Sequence, residues 1–291
     1  MTVSEAFDTF KSELELPDRH QKEAAAAQQQ VRDALAKQLY LPNSFLTGSY
    51  ARHTKIYPLN DIDVFLVRNA QRTALALPGT SGILPDAALT EVAQAVQNAL
   101  PLTATVKRQR RSVNVQITGL PFGFDLTPAW LRHPDGYWIP DTTSGGWIPS
   151  DPDLHSTMMT RANEQGYGKL KPLIKMVKHW SRNNYDRMCS FHIELICADI
   201  FSRQALVNYP VGMAVVLANL PSYINTTMMD PIYRVSKVNK DSSPSEAAEL
   251  VLRAKSDVQR ANDALKFENA GRLNEAIAKW KEIFLTGFPK W

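Results

Sequence analysis

Leu46-Thr-Gly-Ser-Tyr-Ala-Arg52, Leu59-Asn-Asp-Ile-Asp-Val-Phe-Leu-Val67 and Phe122-Gly-Phe-Asp-Leu-Thr-Pro-Ala129 decide the reading of this 291-residue chain. In an extended strand the side chains alternate, so Ile62 and Val64 enter a core while Asp61 and Asp63 share the other face, about 6 to 7 Å apart at Cα. Asp125, between Phe124 and Leu126, repeats the pattern, so that a neighbouring strand could bring it to the first two. Three carboxylates together repel; a dication relieves the repulsion, and Mg²⁺, with its preference for oxygen ligands, is the usual partner of carboxylates plus substrate phosphates. Two such ions about 4 Å apart clamp the attacking and leaving oxygens of an in-line phosphoryl transfer. Gly48 and Ser49 follow a short strand and precede a helix. There a residue without a side chain lets backbone amides approach a phosphate, and the hydroxyl donates to it.

Outward from this block, the spacing of Val31, Leu35 and Leu39 predicts a long helix from Arg19 to Tyr40, ended by Pro42. Strands are expected at Ser44 to Thr47, Ile62 to Val67, Val113 to Thr118 and Phe122 to Thr127, with a helix at Pro85 to Leu100 between them. His133 to Asp153, rich in Pro, Gly, Ser, Thr and Asp, reads as a long loop. Beyond it the pattern is helical. Leu170, Leu173, Ile174, Val177 and Trp180 form one apolar face, while Lys171, Lys175, Lys178 and Arg182 form a basic stripe pointing away from the core. Further helices are expected at Ser190 to Gln204, Val211 to Leu220, Ser245 to Asn269 and Gly271 to Phe284. The chain thus divides into an α/β lobe, residues 1–160, and a helical lobe, residues 161–291.

Composition excludes other classes. With 44% hydrophobic and 21% charged residues the chain is neither disordered nor fibrous. The net charge of +4 suits anionic ligands without demanding a nucleic-acid duplex. The longest apolar stretch, Val211 to Leu220, is too short to span a bilayer and no leader pattern precedes it, so a cytoplasmic protein without membrane contact is expected. Two cysteines, Cys189 and Cys197, make neither a disulfide framework nor a zinc site. A second Asp-x-Asp, Asp151-Pro-Asp153, lies in a turn-rich stretch and reads as a helix cap. The run Lys107-Arg-Gln-Arg-Arg111 reads as a solvated turn.

Gly-Ser, about a dozen residues, Asp-x-Asp on a strand and a third strand-borne Asp together resemble the DNA polymerase β-like nucleotidyltransferase superfamily. The leading helix, the Leu59–Val64 run, Asp125-Leu-Thr-Pro-Ala129, Ser190-Phe-His-Ile-Glu-Leu195 and the closing Lys279–Pro289 segment look most like the bacterial relatives of cyclic GMP-AMP synthase and oligoadenylate synthetase, the CD-NTases. The resemblance implies an α+β fold: a nucleotidyltransferase core of mixed twisted sheet and helices, a C-terminal helical lobe, and an active site in the cleft between them. It implies Asp61, Asp63 and Asp125 as catalytic residues holding two Mg²⁺ ions, with Mn²⁺ as a substitute, and Asp125 also orienting or deprotonating the acceptor hydroxyl. Gly48 and Ser49 would hold the donor triphosphate, Lys178 and Ser190 would contact it from the second lobe, and Phe191 would stack on the donor base. Ser190 also reads as the N-cap of its helix.

The resemblance further implies nucleoside triphosphates as substrates, a cyclic di- or trinucleotide second messenger as product, and a role in anti-phage defence of the CBASS type. A regulatory protein partner would act on the enzyme, whereas a downstream effector would bind the product. Two departures stand out. The zinc-bearing insertion with which the animal enzyme engages duplex DNA is absent, which puts direct duplex binding in doubt. The chain ends Phe288-Pro-Lys-Trp291, whereas the subclass conjugated through its C-terminus ends in a small residue. The same apparatus also suits a template-independent nucleotidyltransferase acting on RNA 3′ ends or another acceptor, and the same fold can serve as a catalytically silent nucleotide-binding module.

Overall fold

The computed structural model describes residues 1–68, 82–100, 103–184, 188–239 and 242–289. Its elements are α1 (Val3–Glu13), α2 (Asp18–Leu39), β1 (Asn43–Leu46), α3 (Gly48–Ala51), β2 (Asp61–Val67), α4 (Pro85–Ala99), β3 (Ala104–Arg108), β4 (Val113–Ile117), β5 (Gly123–Leu131), β6 (Tyr137–Asp141) and β7 (Gly146–Ser150). Helices α5 (Pro152–Gln165), α6 (Leu170–Asn183), α7 (Ser190–Phe201), α8 (Tyr209–Ile224), α9 (Pro244–Asn269) and α10 (Leu273–Phe284) follow. The strands order β1-β2-β5-β4-β3, with β6 on the far end of β5 and β7 on β6. Strands β2 and β5 run parallel while the other pairs are antiparallel, so the sheet is mixed, as expected.

Alternation along β2 and β5 sends Ile62, Val64, Leu66, Phe124 and Leu126 into one apolar cluster. Against them pack Val31, Leu35 and Leu39 of α2 and Leu89, Val92 and Val96 of α4. The expected long helix is therefore present, but it is the second in the chain. Helix α1 precedes it, closed by a capping box in which Thr2 and Glu5 satisfy each other's backbone amides. Its Val3, Phe7 and Phe10 are buried in the helical cluster beside Trp280 and Phe284, as is Met159 of α5. Phe7 meets Trp280 edge-on at 4.9 Å between centroids. Spatially, therefore, the helical lobe recruits both ends of residues 1–160.

The stretch from His133 to Asp153 is not a long loop. It folds into the β6–β7 hairpin, registered Tyr137 to Ser150 and Asp141 to Gly146. Turn-forming residues dominate its composition, yet its tryptophans supply the packing: Trp147 lies 4.8 Å from Trp130, edge to face. Asp141 anchors the hairpin by accepting hydrogen bonds from Arg110 at 2.7 and 2.8 Å and from Arg111 at 2.9 and 3.1 Å. The basic run is exposed from Lys107 to Arg110, as expected, but only its end is a turn: Lys107 and Arg108 lie in β3, Arg108 pairs with Asp86, and Arg110 and Arg111 in the connection to β4 hold Asp141. Asp151 does cap α5, its Oδ1 accepting from Leu154 N at 2.9 Å. Lys290 and Trp291, at the chain's closing residues, lie outside the described residues.

Candidate active site

The parallel register sets Asp63 beside Asp125 and Asp61 beside Gly123. Adjacent strands lie about 4.8 Å apart, so the three acids share one sheet face across two neighbouring strands. A side chain on β4 ties two of them together: Asn114 Nδ2 donates to Asp61 Oδ1 at 3.1 Å and to Asp125 Oδ1 at 2.9 Å. Burial and the charges of Asp125 and Asp61 push the Asp63 carboxyl up to about 6, against the opposing pull of Arg52 and Lys178. Asp125 is raised by burial and by Asp61, opposed by the Asn114 hydrogen bond. Among the described residues no three carboxylate, imidazole or thiol groups form a ready-made metal cage. The donor set nevertheless fits Mg²⁺: it is all oxygen, and the mutual repulsion of its acids is what a dication would relieve.

Gly48 sits directly against this acid row. Its φ is +62°, a left-handed conformation, and a Cβ there would overlap the carboxylate of Asp63. Thr47 N donates to Asp63 O at 2.9 Å, and Thr54 N and Lys55 N both donate to Ser49 O, at 3.0 and 3.1 Å. The segment from Thr47 to Lys55 is thus a closed turn held beside β2, with Gly48 and Ser49 at its near end. That places the expected triphosphate residues next to the expected metal residues.

The residues expected from the second lobe fare differently. Lys178 is not on a solvent-facing stripe: it is buried, and its Nζ donates to Glu194 Oε1 at 2.7 Å, Thr54 O at 3.0 Å and Thr54 Oγ1 at 3.1 Å. All three ammonium protons are spoken for. Lys175 is buried as well, paired with Glu15 at 2.5 Å, and Arg182 donates to Pro58 O at 2.8 Å. The basic side of α6 faces the catalytic lobe because the apolar side, Leu170 to Trp180, is sealed in the helical core. Ser190 is exposed and is the first residue of α7 rather than its cap; Cys189 occupies that position without a side-chain hydrogen bond. Phe191 is half-buried, with the Arg52 guanidinium 4.7 Å from its ring centroid and His155 at 4.8 Å.

Three residues of this junction, two of them inside stretches already quoted, were given no role by the sequence reading. Glu194 is fully buried and accepts from Arg52 Nε at 2.5 Å, Thr54 Oγ1 at 2.7 Å and Lys178 Nζ at 2.7 Å. Burial alone would push its carboxyl up, but Lys178 and Arg52 overcompensate and hold it at about 2. Arg52 closes the quoted Leu46–Arg52 stretch and Thr54 follows it, but neither shows its role in sequence, since their partner is 142 and 140 residues away. Asn114 was equally silent, although its position on a strand facing β5 follows once the sheet order is known.

Residues 1–163 match the family described as the Second Messenger Oligonucleotide or Dinucleotide Synthetase domain. The chain is 26% identical over 271 residues to a probable cyclic nucleotide synthase of Bacillus cereus (strain VD146), covering 83% of this chain and 81% of that protein. It is 27% identical over 197 residues to a cyclic AMP-AMP-AMP synthase of Acinetobacter sp. (strain ATCC 27244 / 9458), covering 63% of this chain and about half, 53%, of that one. In fold it superimposes on the apo form of Vibrio cholerae DncV with a TM-score of 0.81 at 12% identity, covering 99% and 96% of the two chains. The CdnC chain from the Escherichia coli MS115-1 CdnC:HORMA-deltaN complex gives 0.75 at 20% identity, covering 99% and 98%. The family match extends over more than half of the sequence and the shared architecture over nearly all of it: this chain belongs to the second messenger oligonucleotide or dinucleotide synthetases, the bacterial CD-NTases, and is a nucleotidyltransferase with the polymerase β-like fold.

Proposed function

We propose that the protein makes a cyclic di- or trinucleotide second messenger from nucleoside triphosphates by Mg²⁺-dependent nucleotidyl transfer, in the cytoplasm, as part of anti-phage defence of the CBASS type. The observation that carries the reading is the parallel register that sets Asp63 beside Asp125, with Asp61 two residues away and Gly48 packed on Asp63. The names of its relatives support a cyclic product. Phosphoryl transfer asks mainly for positioning and charge neutralisation, and an acid row beside a glycine turn supplies sites for both.

Asp61, Asp63 and Asp125 would hold Mg²⁺, which when bound supplies electrostatic stabilisation of the transferring phosphoryl group and of the pyrophosphate that leaves. Gly48 and Ser49 hold the donor triphosphate against β2. Asp125 orients the acceptor ribose hydroxyl and takes its proton as that oxygen attacks the α-phosphorus. Exposed Ser190 and the ring of Phe191 meet the donor nucleotide from the helical side. Lys178 has no place in this scheme as a triphosphate ligand, because its donors are already used. A neighbour of the same fold was solved with a HORMA partner, which supports a regulatory protein partner here too.

The test is incubation of the purified chain with all four ribonucleoside triphosphates and Mg²⁺, followed by phosphatase treatment and mass spectrometry. Phosphatase-resistant rings, absent with Asp61→Asn, are expected. Lengthened RNA or an adenylylated acceptor would instead mark a transferase acting on another acceptor, and a folded chain that binds nucleotide but releases no pyrophosphate would mark a catalytically silent nucleotide-binding module.

A further inference from the structure

Between the two lobes the described residues bury one carboxylate, Glu194, under four donated hydrogen bonds from three side chains. Two of those side chains, Arg52 and Thr54, belong to the turn that carries Gly48 and Ser49; the third, Lys178, belongs to α6. Lys178 doubles the tie by also donating to the backbone oxygen of Thr54 at 3.0 Å. Thr54 is fully buried, and its hydroxyl both donates to Glu194 and accepts from Lys178. Arg52 reaches further, over the ring of Phe191 on the first turn of α7.

A buried ion network of this kind is a poor way to gain stability, since apolar residues of equal volume do as well or better. What it offers is geometry. Each hydrogen bond has one direction, and an uncompensated Glu194 in this seam would be costly, so the turn has one registered position relative to α6 and α7. We infer that Glu194, Arg52, Thr54 and Lys178 are positioning residues that lock the 47–55 turn onto the helical lobe and so set where the donor triphosphate lies against the acids of β2 and β5. The assignment gives Lys178 a role that needs no phosphate contact. It rests on the synthase reading for its catalytic consequence, but not for the lock itself.

Two measurements on the full chain test it. The first is hydrogen–deuterium exchange without nucleotide on wild type, Thr54→Val, Thr54→Ser and Lys178→Met. Thr54→Val keeps the shape and deletes the bridging hydroxyl, and Thr54→Ser restores it. Exchange in the peptide covering 47–55 is expected to quicken at least tenfold in Thr54→Val and Lys178→Met, to stay near wild type in Thr54→Ser, and to leave the β2 peptide 61–67 unchanged. A lysine that acted only on bound triphosphate would not move exchange in the nucleotide-free protein, so unchanged 47–55 exchange in both variants overturns the lock. The second is pyrophosphate release from equimolar nucleoside triphosphates. Here kcat is expected to fall about 10- to 100-fold in Thr54→Val, as misplacement of about an ångström does, with KM within threefold and recovery in Thr54→Ser. Quickened exchange with wild-type kcat overturns the positioning role. A wild type that makes no pyrophosphate would count against the synthase reading alone, since the exchange result stands by itself.

Discussion

Asp63 is the residue on which the site's electrostatics converge. Its carboxyl is raised in the folded chain to about 6 by burial and by its acidic neighbours, from an ordinary value of 3.8. A folded-state value above the unfolded one means the native state binds the extra proton, so stability without metal falls as pH rises from about 4 to about 6 and stays lower above that. Two units correspond to about 3 kcal/mol. Asp63→Asn is therefore expected to melt a few degrees higher than wild type at pH 7.5 in chelator, while abolishing pyrophosphate release. Thermal melts should also show Mg²⁺ stabilising the wild type more at pH 7.5 than at pH 5, with that difference reduced in Asp63→Asn, where of the site's raised carboxyls only Asp125 remains. Gly48→Ala pairs an unfavourable left-handed φ with a methyl group inside the Asp63 carboxylate. It is expected to lower turnover at least 100-fold with the circular dichroism spectrum retained. A Gly48→Ala enzyme within tenfold of wild type would mean that Gly48 does not have to lie this close to the acid.

Among the elements, the β6–β7 hairpin depends on one buried carboxylate. Burial raises Asp141, but the Arg110 and Arg111 hydrogen bonds overcome it and hold the carboxyl at about 2. Here the folded value lies below the unfolded one, so the stabilisation is present above about pH 4 and is lost as pH falls from about 4 towards 2. Asp141→Asn should cost about 2 kcal/mol in chemical denaturation at pH 7, by the same linkage, and should flatten the acid limb of the stability curve. The strands that carry the acids were legible because apolar residues flank the acids on both sides, Ile62 and Val64 about Asp63 and Phe124 and Leu126 about Asp125, within short apolar runs. The hairpin was not, because Pro140 and Pro149 and the Thr142–Gly145 turn look like loop composition until Trp147 finds Trp130. Strand β3 escaped for a related reason: its Ala-Thr-Val-Lys-Arg sequence pairs on one side only, with β4, and has little apolar content to declare it.

For the molecule as a whole, the two lobes do not follow the order of the chain. Helix α1 completes the helical core by packing Phe7 and Phe10 beside Trp280 and Phe284 of α10, so Phe7→Ala should cost about 3 to 5 kcal/mol in denaturant titration. A loss under 1 kcal/mol would show that α1 is not integral to that core. The placing of Asp61 and Asp63, and of Asp125, on the polar faces of their own strands, the glycine turn, the helix periodicities and the absence of a metal-binding cysteine pattern were determined by the sequence alone. Each depends on neighbours within about ten residues, where alternation or helical spacing leaves a mark, whereas bringing Asp125 beside Asp63 took the parallel pairing of β2 with β5. The burial of Lys178, the bridging of Asp61 and Asp125 by Asn114, and the grip of Glu194 on Arg52 and Thr54 were decided only by the tertiary structure. These contacts join residues whose separation in sequence bears no relation to their separation in space, and a lysine on an amphipathic helix reads the same whether solvent or another lobe covers it.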